Sequence, residues 1–229
     1  QADAVLLVGT NPRTEAPLLN ARLRKIWLSG QARVGVIGEA AELTYDYAHL
    51  GKGAETLAKP PKGLTDFFKG AQRPAIIVGA GAISGKDGAA VLNAVGALAK
   101  KVGVVADGWN GFNVLHHAAS RVGGLDMGFV PGEGGLSAVD MAKKGKLDVL
   151  FLLGADEIDA SATSAFKVYL GSHGDRGAHG ADVILPGAAY TEKSGLYANT
   201  EGRVQLAERV VFPKGEAKED WAIIRALSE

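Results

Sequence analysis

The run Ala4-Val-Leu-Leu-Val8 is apolar at every position, breaks at Gly9 and continues into Thr10-Asn-Pro12. A strand with one face in water alternates apolar and polar residues. A strand-length run without alternation fits a strand buried on both faces, the usual state of a parallel sheet covered by helices. Leu147-Asp-Val-Leu-Phe-Leu-Leu153-Gly154-Ala-Asp-Glu157 repeats the design. Each is a buried-type strand that stops at Gly and opens into a polar loop. Two copies this far apart indicate two related α/β units rather than a short-period repeat array.

Between and around these copies the pattern alternates between strands and helices. Leu18 to Leu28 has helical spacing, with Leu19, Leu23, Ile26 and Trp27 on one side, and Arg33–Ile37 is a second strand ending at Gly38. Lys59-Pro-Pro-Lys-Gly63 is a cluster of helix breakers, followed by a short helix, Leu64–Lys69. We therefore expect a boundary near Gly70 to Arg73, with 1–70 part of a first α/β unit and 71–229 a second. Beyond it we expect a strand at Pro74–Val78, a helix from about Asp87 to Lys101 and a strand at Val102–Ala106. Phe112 to Val122 reads as helical and Gly123 to Gly135 as loop. Ser137 reads as the N-cap of a helix to Lys144. Strands at Asp148–Leu153 and Asp182–Pro186 and a terminal helix at Trp221–Leu227 follow.

Composition excludes several classes. Basic and acidic residues balance at 25 each, so there is no electrostatic footprint for nucleic acid or for an anionic membrane surface. Cys is absent, which removes disulfides and thiolate-held metals or iron–sulfur clusters from these residues. The longest apolar runs are too short to span a bilayer, so no direct membrane insertion is expected. The sequence opens at Gln1 almost directly into a strand and reads as an excised fragment.

In an open α/β sheet, ligands bind beyond the carboxyl ends of the strands. The loops there are Gly9–Pro12, Gly79–Ser84, Asp107–Asn110 and Gly154–Asp159. Gly79-Ala-Gly81-Ala-Ile-Ser84 is the nearest approach to a dinucleotide fingerprint, with Asp107 where a ribose-binding acid would stand; a tight structural turn explains it equally. His116 and His117 are adjacent and would diverge on a helix, while His173 and His179 flank Asp175 in a Gly-rich loop. The Asp156/Glu157 and Glu219/Asp220 pairs read as solvated turns. Thr191-Glu-Lys-Ser-Gly195 and Asn199-Thr-Glu-Gly-Arg203 are denser in polar groups than a link requires; either they satisfy their own backbone or they meet a ligand or partner.

Ala181-Asp-Val-Ile-Leu-Pro-Gly-Ala-Ala-Tyr-Thr-Glu-Lys-Ser-Gly195 with Asn199-Thr-Glu-Gly-Arg-Val-Gln205 resembles a signature of molybdopterin oxidoreductases. Val8-Gly-Thr-Asn-Pro12 matches a second loop of that family, and Asn113 through Leu125-Asp-Met-Gly128 and Pro131 is similar to a third. Within the superfamily, Asp107-Gly-Trp-Asn-Gly-Phe-Asn-Val-Leu-His116, Gly154-Ala-Asp-Glu-Ile158 and His173-Gly-Asp-Arg-Gly-Ala178 resemble the large iron–sulfur subunit of NADH:quinone oxidoreductase, respiratory complex I, most of all its alphaproteobacterial and mitochondrial forms.

The resemblance implies helix-covered, three-layer parallel-sheet units of the formate dehydrogenase/DMSO reductase type. It implies 2Fe-2S and 4Fe-4S clusters in a part of the full subunit outside this sequence, other peripheral-arm subunits as partners, and a peripheral place on the cytoplasmic side of a bacterial inner membrane or the matrix side in a mitochondrion. Asn11, Pro12, Asn199, Glu201, Arg203 and Gln205 match pterin-contacting positions and are expected to be vestigial, with Arg203 paired to a local carboxylate. The reason lies at Gly154-Ala-Asp156-Glu157, where many relatives have Gly-x-Asn-Pro: carboxylates there would repel a pyrophosphate. A scaffold without catalysis, cofactor or metal of its own is the favoured expectation. The alternatives are a piece of an active molybdopterin enzyme and a nucleotide-binding module using Gly79–Gly85 and Asp107.

Overall fold

The computed structural model describes residues 1–199 and 202–228. It divides into two compact units, Gln1–Ala118 and Ala119–Glu229.

In the first unit, β1 (Ala4–Val8) is followed by α1 (Pro12–Glu15), α2 (Pro17–Leu28), β2 (Arg33–Ile37), β3 (Ala48–Gly51), α3 (Ala54–Ala58) and α4 (Lys62–Phe67). Then come β4 (Pro74–Gly79), α5 (Ala80–Ile83), α6 (Gly88–Lys101), the short β5 (Val105–Ala106) and β6 (Trp109–Asn110), and β7 (Phe112–Leu115). The sheet is five-stranded in the order β3-β2-β1-β4-β7, and its pairings are parallel. β1 is its middle strand, and all five of its residues are buried. Successive side chains point to opposite faces of a strand. Ala4, Leu6 and Val8 therefore join Ile76, Val78 and α6 residues Val91, Val95 and Leu98 in one core. Val5 and Leu7 join Val34, Val36, Ile77 and Leu23 of α2 in the other. The uninterrupted apolar run is thus explained: both faces are roofed, and the unit has three layers.

The boundary expected at Gly70 to Arg73 falls inside this unit. β4 lies alongside β1 in register from Ala4↔Pro74 to Val8↔Val78, so the sheet crosses the expected break and the division comes after Ala118. The breaker cluster only joins α3 to α4. Two element assignments also change. Val102–Ala106 is not a strand of the five-stranded sheet: Val104 is buried, but only Val105–Ala106 is strand, pairing antiparallel with Trp109–Asn110 around Gly108 at φ +70°. Phe112–Leu115, read as helix, is the outer strand beside β4. Its aromatic and β-branched content is the signal that favours a strand.

In the second unit, α7 (Arg121–Asp126) and α8 (Ala138–Met141) precede β8 (Val149–Leu153) and β9 (Phe166–Gly171). After them come α9 (Arg176–His179), β10 (Val183–Pro186), the hairpin strands β11 (Gly195–Ala198) and β12 (Val204–Ala207), and α10 (Asp220–Leu227). Ser137 does cap α8, its Oγ accepting from Asp140 N at 3.2 Å. The main sheet has three parallel strands in the order β10-β9-β8. One face is covered: Leu150, Leu152 and Tyr169 pack with Ala165 and Ala178. On the other, Val149, Phe151 and Leu153 are each 47% exposed and Phe166 50%. The covering expected on both faces is present in the first unit and partial here.

Candidate functional site

At the carboxyl end of β1, the Asn11 side chain is already engaged. Its oxygen accepts from Arg13 N at 3.1 Å, capping α1, while Asn11 N donates to the Glu15 carboxylate at 2.7 Å. This reciprocal arrangement is a capping box with its acid one position later than usual. Pro12 is buried at the first helical position, where its missing N–H is no loss. The neighbouring Gly79 loop is a packing device. A Cβ at Gly79 would lie 2.3 Å from Gly9 O and 2.8 Å from Thr10 Cβ, so glycine is needed for two strand ends to approach, not for a phosphate. Asp107 is exposed in the small hairpin, and the strand beside β4 is β7, so it is not the acid that ends the neighbouring strand. The dinucleotide arrangement is not assembled.

The β11–β12 hairpin gathers three of the expected residues. Asn199 N donates to Arg203 O at 2.9 Å, Arg203 N to Asn199 Oδ1 at 3.0 Å, and Asn199 Nδ2 to Gln205 Oε1 at 3.2 Å. The signature thus closes its own turn. The ion pairs among the described residues do not include Arg203, and its near neighbour Glu201, a local carboxylate, lies outside them.

A cleft of about 290 Å³ opens where β8 and β9 end, lined by Gly154, Asp156, Tyr169, His173, Asp175, Lys193 and Asp220 among others. Asp156 is half-buried rather than solvated. Its Oδ1 accepts from Gly177 N at 2.8 Å and its Oδ2 from the Tyr169 hydroxyl at 3.1 Å. Burial, and then the Asp156 carboxylate, push the Tyr169 phenol above its ordinary range, so it stays a donor. Opposite, Lys193 Nζ donates to Asp220 Oδ2 at 2.6 Å. Tyr169 carries no signature motif, though the apolar run around it could have been read as a strand. Asp220 belongs to the pair expected in a solvated turn. No group of three or more His, Cys, Asp or Glu side chains that could hold a metal ion occurs among the described residues.

Over residues 1–229 the sequence matches the family model described as Molybdopterin oxidoreductase. The chain belongs to the molybdopterin oxidoreductase family. It is 48% identical to the mitochondrial NADH-ubiquinone oxidoreductase 78 kDa subunit of Candida albicans, covering 100% of this chain and 31% of that protein. It is 45% identical to the mitochondrial NADH dehydrogenase [ubiquinone] iron-sulfur protein 1 of Solanum tuberosum, again over 100% of this chain and 31% of the relative. The 78 kDa subunit of Neurospora crassa matches at 45% over all of this chain and 30% of its own length. The chain thus spans about a third of these relatives.

The family's pterin nucleotide is anionic, and the strand-end residues can be tested against it. The cleft presents Asp156, Asp175 and Asp220, and its one ammonium, Lys193, is already bonded to Asp220. The Gly177 amide, a donor an external anion would need, is held by Asp156. Neither the charge nor the free donors of this cleft fit a pyrophosphate.

Proposed function

We propose that these residues form a framework domain, without a reaction of its own, in the large iron–sulfur subunit of an NADH:quinone oxidoreductase. The observation that carries the reading is Asp156. At the position where the fold would receive an anion, it supplies a carboxylate of the protein's own, bonded on both oxygens. Identity of 45–48% along all of this chain to proteins named as an NADH-ubiquinone oxidoreductase subunit and an NADH dehydrogenase iron-sulfur protein supports the same reading. On it, Asn11, Pro12, Asn199, Arg203 and Gln205 persist as turn architecture, and neither they nor Glu201 hold a cofactor. The 2Fe-2S and 4Fe-4S clusters that relay electrons from NADH toward quinone lie in a part of the polypeptide outside these residues. The partners are other peripheral-arm subunits, on the cytoplasmic face of a bacterial inner membrane or the matrix face of a mitochondrial one. No described helix is long and apolar enough to cross a membrane.

The test is a molybdenum and oxidised-pterin assay on the purified full-length subunit in its complex, with NADH:quinone turnover measured for Arg203→Ala. We expect neither molybdenum nor pterin near one per subunit, and turnover within about twofold of the parent. Stoichiometric pterin would end this reading and favour an active molybdopterin enzyme.

A further inference from the structure

Asn110-Gly111 is the single Asn-Gly pair in the sequence. In such a pair the glycine amide nitrogen can attack the asparagine side-chain carbonyl, because no Cβ on the following residue obstructs the backbone turn that ring closure requires. Packing explains why both residues stand here. A Cβ at Gly111 would lie 2.2 Å from Pro74 O and 3.0 Å from Ala75 Cα, so glycine is needed where the chain passes β4. The Asn110 side-chain oxygen accepts from Phe112 N at 3.0 Å, an Asx turn that leads into β7. Asn110 itself is exposed and belongs to the two-stranded β5–β6 ribbon, a kind of element that is marginally stable alone. The nucleophile, however, is occupied. Gly111 N donates to Val104 O at 2.9 Å, and Gly111 O accepts from Ile76 N at 2.9 Å. Trp109 holds the ribbon in place, its Nε1 donating to Pro74 O at 2.9 Å.

We propose that Asn110 is a site of deamidation and isoaspartate formation, gated by opening of the β5–β6 hairpin. With the hairpin closed, the Gly111 amide must give up its proton and turn toward Asn110 Cγ, and its bond to Val104 O opposes both. With the hairpin open, Gly111 N loses that proton and bonds to Cγ. The Cγ–Nδ2 bond breaks, ammonia leaves with the proton, and a succinimide ring remains. Water then opens the ring at one of its two carbonyls, giving aspartate or isoaspartate. The isoaspartyl link adds one carbon to the main chain ahead of Gly111. It carries the Gly111 carbonyl out of line with Ile76 N and frees the start of β7 from β4.

The test is peptide mapping of the full-length subunit aged in mildly alkaline buffer, once within its assembled complex and once unfolded in urea, with fragmentation that separates isoaspartate from aspartate. Conversion of Asn110 should be at least about tenfold faster in urea than in the complex. A smaller ratio, or no isoaspartate at 110 in the unfolded subunit, would overturn the proposal. Trp109→Phe, which removes the bond to Pro74 O, should speed conversion within the complex by about threefold or more. An unchanged rate would show that the hairpin is not the gate, and the comparison with urea does not depend on this variant assembling. Aged complex should also show a fast-exchanging population of the Ile76 amide that matches the isoaspartate fraction; its absence would refute the release of β7.

Discussion

β1 and β8 are near twins in sequence and opposites in setting. Both are five-residue apolar strands that end at a glycine of positive φ, Gly9 at +55° and Gly154 at +57°. β1 lies mid-sheet, sealed on both faces; β8 lies at an edge, and every second residue is half-exposed. The same contrast extends to the units. In the first, the exposed large apolar side chains are Leu18, Leu28, Leu92 and Val105. In the second they include Met127, Phe129, Val149, Phe151, Leu153, Phe166, Leu196, Val210, Phe212 and Trp221. Scattered apolar surface is normal, whereas contiguous patches mark contacts. The apolar run alone does not decide burial: only one of the twins has both faces sealed.

The sharpest way to break the comparison is truncation at matched positions. Leu6→Ala, in the closed core, should lower unfolding free energy by about 3 kcal/mol. Leu153→Ala, at 47% exposure, should lower it by about 1 kcal/mol or less. Urea midpoints read the difference, and equal losses would mean that the edge is as closed as the centre. The glycines give the next largest contrast. An alanine Cβ at Gly9 would sit 2.5 Å from Ala82 Cβ, whereas at Gly154 nothing lies within 4 Å. Gly9→Ala should therefore combine left-handed strain with a clash, about 3 kcal/mol in all, while Gly154→Ala should show only the strain, about 1 kcal/mol.

Tyr169→Phe should be milder, about 1 kcal/mol, because Asp156 keeps its bond from Gly177 N. Thermal unfolding would check it, and a loss above about 3 kcal/mol would show that the hydroxyl contributes more than its bonds to Asp156 and to His173 O. The last contrast lies in the first unit and shows as a pH dependence only under alkaline conditions. Burial pushes the Tyr45 phenol from 10.0 up to about 12 while its hydroxyl donates to Asn20 at 2.8 Å. The folded state holds that proton more tightly than the unfolded chain does. Its contribution is therefore whole below pH 10 and is lost as pH climbs from 10 toward 12. Alkaline unfolding followed by circular dichroism should flatten in this window for Tyr45→Phe.

Much of the layout was legible because burial on both faces leaves an unmistakable composition. β1, β2, β4, α2 and α6 lie within a residue or two of where apolar periodicity puts them. What stayed hidden was pairing. Nothing local in Pro74–Gly79 says that it lies beside β1, which is why the breaker cluster looked like a boundary. Phe112–Leu115 needed its neighbour β4 to become a strand. At the cleft, Asp156 was legible as a charge at a strand end. Its bonds from Tyr169 and Gly177 join segments 13 and 21 residues away, and such contacts leave no trace in spacing. The hairpin motif was legible as a string, but its saturation by Asn199 was not.

The twofold tethering of Asp156 bears on how such a cleft could change over time. Exchanging this residue alone for a small neutral one would leave the Gly177 amide without its acceptor and the Tyr169 hydroxyl with only its longer bond to His173 O at 3.3 Å, at a loss of about 1–3 kcal/mol. A lineage drifting toward anion binding would have to cross that less stable intermediate before any ligand compensated it. Single-step reversal is disfavoured, and the domain is held in its present role by the folding of the neighbourhood rather than by the absence of a motif.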